Sequence, residues 1–195
     1  MRKIKTIFER NWGGDRKVIN KKIIKIPKEA VAIEKLDGTN VRLTIRNHQL
    51  VRLEKRRNPS KLQKSQGIEE PWYVDVDEHS PDDKYIWEAA RNTDLLNIPD
   101  GEWSGEAVGP KIQGNSLNLK EHTVILFSVP SVRERLIFEN VSTNYEELKE
   151  WLPKQKSKVG NNCGIEGIVW WYRDEPIGKI KLKDFNYDQE SKENN

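Results

Sequence analysis

Glu34-Lys35-Leu36-Asp37-Gly38-Thr39-Asn40 stands between two strand-like runs, Val31-Ala32-Ile33 before it and Val41-Arg42-Leu43-Thr44-Ile45 after it. The lysine therefore closes a buried strand just ahead of a tight turn, for which Gly38 offers the backbone freedom. A lysine in such a place is costly without a task, because burial disfavours an ammonium. Nucleophilic attack is one such task, since a partly desolvated lysine carries a reactive free amine. The plain alternative is a surface lysine at a hairpin turn, and Lys-x-Asp-Gly alone does not separate the two.

Composition narrows the field. A chain of 195 residues suggests one domain, with or without an appendage. The net charge is only +3, so any nucleic-acid surface must come from local clustering of Lys and Arg. Cys163 is the single cysteine, which excludes an internal disulfide and a cysteine-based zinc site. His48, His79 and His122 have no metal-ligand spacing. Met1 to Trp12 is basic but lacks the apolar stretch of a signal peptide, and no 18-residue apolar run is present. The expected compartment is the cytoplasm.

Strand patterns dominate the remainder. Val41–Arg46 and Gln49–Leu53 read as a hairpin turning at Asn47-His48. Glu54 to Pro71 is charge-rich and reads as a loop, either solvated or contacting phosphate. Further strands are expected at 102–108, 123–129, 165–172 and 177–182, the last two joined through Arg173-Asp174-Glu175-Pro176. Ser80-Pro81-Asp82-Asp83 predicts a helix start by capping box, and Thr143 with Glu146 predicts a second helix that Pro153 stops. Strands with two interspersed helices predict an α+β fold of mostly antiparallel sheets with flanking helices. The domain is expected over 1–185, with a polar tail at 186–195.

Four features belong with Lys35. Gly105-Glu106 places on a strand a carboxylate able to accept from ribose hydroxyls. Gly109-Pro110-Lys111-Ile112-Gln113-Gly114-Asn115 is a turn-rich loop ending in amides, either a mere connection or, through Lys111, Gln113 and Asn115, a hold on a polynucleotide backbone or base edge. Glu166-Gly167 opens an apolar strand. Lys179, Lys181 and Lys183 alternate with apolar residues, so at strand period they share one face, as a solvated edge or as a phosphate clamp.

Lys35-Leu36-Asp37-Gly38, Gly105-Glu106, Glu166-Gly167 and Lys179-Ile180-Lys181 together resemble, in order, motifs I, III, IV and V of the covalent nucleotidyltransferases: DNA and RNA ligases and mRNA-capping enzymes. Glu34-Lys35-x-x-Gly38-Thr39-Asn40 and the Gly-Pro-Lys-Ile-Gln-Gly-Asn loop are most similar to ATP-dependent RNA ligases. The resemblance implies an ATP-grasp-like nucleotidyltransferase domain. It implies ATP as substrate with Mg²⁺ or Mn²⁺, and RNA bearing 5′-phosphate and 3′-hydroxyl ends as partner. Lys35 is then the nucleophile, Glu166 the metal-binding carboxylate, and Lys179 and Lys181 the phosphate clamp. Nucleotide contacts are implied for Glu34, Asp37, Asn40, Glu106 and Phe127, and for Arg52 or Arg57 as the motif Ia arginine. Asn40, Lys111, Gln113 and Asn115 are the candidates for RNA contact. No OB-fold domain is expected after Lys183, so the domain works alone or a protein partner stands in place of a C-terminal domain. A DNA ligase, a GTP-dependent capping enzyme and a non-catalytic RNA-binding module are the alternatives.

Overall fold

The computed structural model describes residues 3–187, so the expected tail lies outside the described residues from position 188 on. In chain order the elements are β1 (Phe8–Arg10), β2 (Val18–Lys22), β3 (Val31–Lys35), β4 (Thr39–Arg46), β5 (Gln49–Arg57), α1 (Lys61–Ser65), β6 (Trp72–Asp75) and α2 (Lys84–Arg91). They continue with β7 (Gly101–Val108), β8 (Thr123–Ile125), α3 (Pro130–Glu134), β9 (Ile137–Phe138), α4 (Tyr145–Trp151), β10 (Gly167–Tyr172) and β11 (Glu175–Lys181). Every pairing between these strands is antiparallel, and the fold is α+β.

The chain divides into two compact units. One holds Asp37–Leu136 with Lys158–Cys163 and is built on a five-stranded sheet in the order β6-β5-β4-β7-β8. Val41, Leu43 and Ile45 project from alternate positions of β4 into its core, where Leu53, Ile86, Ala89, Ala90, Val124 and Leu126 meet them. Each such fully buried aliphatic side chain contributes about 1.5–3 kcal/mol. The opposite face of this sheet is polar. The other unit holds Ile4–Leu36, Ile137–Ser157 and the chain from Gly164, with a four-stranded sheet in the order β11-β10-β3-β9 and the β1-β2 hairpin. Ala32, Ile168, Trp170 and Ile180 form one face of that sheet and pack with Phe8, Phe138, Leu148 and Phe185.

Several boundaries differ from the sequence reading, each for a local reason. Glu54 to Arg57 continues β5 rather than opening a loop, because β6 pairs with all four residues and Arg42 grips Glu54. Asp83 is the cap position of α2, not an interior member of a box begun at Ser80. Its carboxylate is held by Lys55 and by the Asp77 N–H, so it caps nothing. Asn144 rather than Thr143 caps α4, accepting from the N–H groups of Glu146 and Glu147. The strand expected over 123–129 ends at Ile125, where Leu126 to Val129 turn toward Pro130 at the start of α3. The turn between β10 and β11 is only Arg173-Asp174, both with positive φ, and the one between β4 and β5 is Asn47-His48, likewise. Gly38 does not adopt positive φ. It is needed for space, since a Cβ there would lie 2.2 Å from the Ala107 carbonyl oxygen.

Candidate functional site

The expected residues fall into both units. In the four-stranded sheet, Gly167 of β10 stands opposite Lys35 of β3 on one side and Lys181 of β11 on the other. Directly opposed residues point to the same face. The two lysines would therefore flank whatever side chain occupied position 167, and it has none. A Cβ there would lie 2.1 Å from the Ile180 oxygen and 2.7 Å from the Lys181 Cα. Glu166, one residue earlier, fills the opening. Its Oε2 accepts from Lys35 Nζ at 2.7 Å and its Oε1 from Lys181 Nζ at 2.5 Å. Lys35 Nζ also reaches the Leu36 carbonyl at 3.4 Å.

Lys179 shares this face, two residues before Lys181 and opposite Val169. Burial, with repulsion from Lys181 and Lys35, pushes its ammonium down to about 8. Burial alone would raise the Glu166 carboxyl, but the charge of Lys35 and hydrogen bonds from Lys181 and Lys35 outweigh it and hold the group below its ordinary value. One carboxylate thus stands among three ammoniums. Lys183, expected on the same row, has left the strand. It sits exposed in the helical turn Leu182–Asp184, because β11 ends at Lys181. Glu34 is buried on the opposite, core-facing side of β3, as strand alternation requires, and its Oε1 accepts from Ser157 Oγ at 2.6 Å.

In the five-stranded sheet, Asn40 pairs with Glu106 across β4 and β7. Asn40 is buried, and its amide donates to the Gly105 carbonyl at 3.1 Å and to Glu106 Oε2 at 3.4 Å, while accepting from Tyr73 OH at 2.8 Å. The same polar face carries Arg42, Arg52, Glu54, Arg56, Tyr73 and Asp75. Arg52 is tied to Asp75 at 2.7 Å and to Glu54 at 3.3 Å, and its hydrogen bond holds Asp75 below the usual carboxylate range. Arg57 alternates to the other face at the exposed end of β5. Arg56 was missed by the sequence reading, although the strand period would place it with Asn40 and Glu106 once β5 is known to continue. Its Nε is buried without a hydrogen-bond partner. Phe127 is half-buried in the turn after β8, outside both core clusters.

Asp37 accepts from Ser116 Oγ through its main-chain oxygen at 3.4 Å. In the following loop Gln113, Gly114 and Asn115 all have positive φ, which curls the chain left-handedly. Lys111 and Gln113 are exposed. Asn115 turns inward and both donates to and accepts from the Leu119 backbone. His122, also unassigned by sequence, anchors the loop: its Nε2 accepts from the Lys111 N–H at 3.0 Å and its Nδ1 lies 2.9 Å from Glu88 Oε1.

Among the described residues no group of three or more His, Cys, Asp or Glu could hold a metal ion, and no helix is long and apolar enough to cross a membrane. A divalent ion at Glu166 would therefore draw most of its ligands from phosphate oxygens and water, as Mg²⁺ commonly does.

No protein-family model and no curated protein matches the chain. Solved structures do. A Naegleria gruberi RNA ligase variant with ATP and Mn matches at TM-score 0.51 and 16% identity, over 79% of this chain and 50% of that one. A second variant of it with ATP and Mn matches at 0.50 and 17%, over 80% and 52%. The Naegleria gruberi RNA ligase with PPi matches at 0.50 and 17%, over 79% and 49%. The chain spans about half the length of these structures, and over most of its own length it has an RNA ligase-like fold.

Proposed function

We propose that the chain is the nucleotidyltransferase part of an ATP-dependent RNA ligase. The observation that carries this reading is the Glu166 carboxylate bridging Lys35 and Lys181 over the side-chain-free Gly167. The arrangement sets a primary amine beside fixed positive charge at the end of a strand. Lys35 Nζ attacks the α-phosphorus of ATP. A phosphorus–nitrogen bond forms, the bond to the pyrophosphate oxygen breaks, and the amine proton is lost. The AMP then passes to an RNA 5′-phosphate, and a 3′-hydroxyl displaces AMP to close the phosphodiester. Each step is an in-line displacement, so the chain's task is positioning and charge neutralisation.

Lys181 and Lys179 neutralise the phosphates, and Glu166 releases Lys35 as the nucleotide arrives. A Mg²⁺ or Mn²⁺ held by Glu166 and phosphate oxygens would supply further charge neutralisation when bound. Glu106, held by Asn40, takes the ribose hydroxyls, and Arg56 offers its unpartnered Nε on the same face. Phe127 stacks on the base. Exposed Lys111 and Gln113 contact RNA. The solved neighbours with ATP, Mn and PPi support the nucleotide class.

Incubation with ATP radiolabelled at the α-phosphorus and Mg²⁺ or Mn²⁺, followed by a denaturing gel, tests the reading. Label is expected on the wild type and absent from Lys35→Ala. An unlabelled wild type, or equal label on the variant, would reject it. Nicked RNA, nicked DNA and 5′-diphosphate RNA as substrates then separate the RNA ligase from a DNA ligase or capping enzyme.

A further inference from the structure

The first thirty residues hold ten Lys and Arg against three acids, while the whole chain nets only +3, so the rest of the molecule is net negative. Most of this charge lies on or beside the β1-β2 hairpin, where Lys5, Arg16, Lys21, Lys22, Lys25 and Lys28 are exposed. At the hairpin tip Trp12 is 72% exposed.

The tip is built, not loose. The Asn11 carbonyl accepts from Gly14 N–H at 3.3 Å and Arg16 N–H at 3.0 Å, and Asn11 N–H donates to the Lys17 carbonyl at 2.9 Å. Arg10 fastens the turn from beneath, donating to the Arg16 carbonyl at 2.9 Å and to Asp184 Oδ1 at 2.6 Å. The other oxygen of buried Asp184 accepts from the Lys181 N–H at 3.0 Å. Lys17 Nζ donates to the Lys183 carbonyl at 2.8 Å. One carboxylate therefore ties the Trp12 turn to the strand that carries the lysine pair.

We infer that this turn is a docking platform for single-stranded RNA, with a base stacked on the Trp12 indole and the adjoining backbone held by Arg16, Lys17 and the neighbouring lysines. The inference rests on the RNA ligase reading for its choice of strand. The physics is general: an aromatic face takes any base, and flanking cations take its phosphates. The ordered turn makes stacking cheap, since little conformational freedom is lost on binding.

The test is fluorescence anisotropy of a labelled single-stranded RNA 12-mer bearing a 5′-phosphate, with ATP labelling followed in parallel. Trp12→Ala should bind RNA about tenfold more weakly, within the range for one lost base stack. Trp12→Phe should stay near wild type, and both variants should take label from ATP as the wild type does. Arg16→Ala should flatten the slope of log affinity against log salt by about 0.7, one phosphate's share for a single strand. Unchanged RNA affinity in Trp12→Ala overturns the platform while leaving the ligase reading intact. Loss of binding to phosphatidylserine vesicles or to polyglutamate in Trp12→Ala, with RNA affinity kept, reassigns the turn and overturns it too. Trp12-dependent RNA binding by a protein that takes no label from ATP upholds the platform and rejects the ligase reading.

Discussion

Lys179→Met should make the protein more stable at neutral pH. Lys179 keeps its charge among Lys181 and Lys35 in a partly buried place, and its ammonium is pushed down to about 8 from the ordinary 10.5. At about 1.4 kcal/mol per pH unit, that gap makes the charged group about 3 kcal/mol unfavourable to folding. Below pH 8 both folded and unfolded chains hold the proton and the full penalty applies. Between about 8 and 10.5 the folded chain releases the proton first, so stability recovers as pH rises. Methionine keeps the apolar stem without the charge. Urea unfolding of wild type and variant should therefore differ by about 3 kcal/mol at pH 7, about 2 at pH 9 and less than 1 at pH 10.5. On the proposed function the same variant should take no label from ATP, the signature of a charge kept for chemistry at the expense of the fold. A variant no more stable than wild type at pH 7, or an advantage that widened with pH, would refute the reasoning.

Two more outcomes follow from the same geometry. Gly167→Ala puts a Cβ against the backbone of Ile180 and Lys181, which cannot turn aside as a side chain would. It should destabilise by about 1–3 kcal/mol or more in urea unfolding, and no loss would mean the β10-β11 pair yields easily there. His122→Phe keeps an aromatic ring beside Tyr85 but leaves the Lys111 N–H without its acceptor. It should lower the melting temperature by an amount matching about 1–3 kcal/mol and impair RNA sealing while ATP labelling persists, and unchanged sealing would detach the loop from RNA.

Much of this architecture was legible because it rests on period and turn chemistry. The alternation of Lys179-Ile180-Lys181 gives both lysines one face, and Asn47-His48 and Arg173-Asp174 are short turns between apolar runs. What escaped depended on partners distant in sequence. Asp83 looks like a capping residue until Lys55 claims it. Glu54 looks like the start of a solvated loop until Arg42 takes it bidentately. Arg52 and Arg57 fall on opposite faces because β5 runs through both, and that extent depends on pairing with β6. Gly167 reads as an ordinary strand glycine, since nothing in its neighbours announces that two lysines will stand on either side of it.

One irregularity governs the whole lysine cluster. Starting from the Arg173-Asp174 turn, Tyr172 faces Glu175 and Trp171 faces Pro176, but Trp170 faces Gly178, so Ile177 is an unmatched step. Counting without that step, Lys179 would oppose Ile168 and point with it into the apolar interior. The bulge acts as a half-turn of a ratchet that swaps inside for outside over the rest of β11. Drawing Ile177 into the ladder opposite Trp170, with no residue removed, would thus invert the strand's polarity while leaving every lysine in the sequence, a lesion that no survey of motif letters would detect.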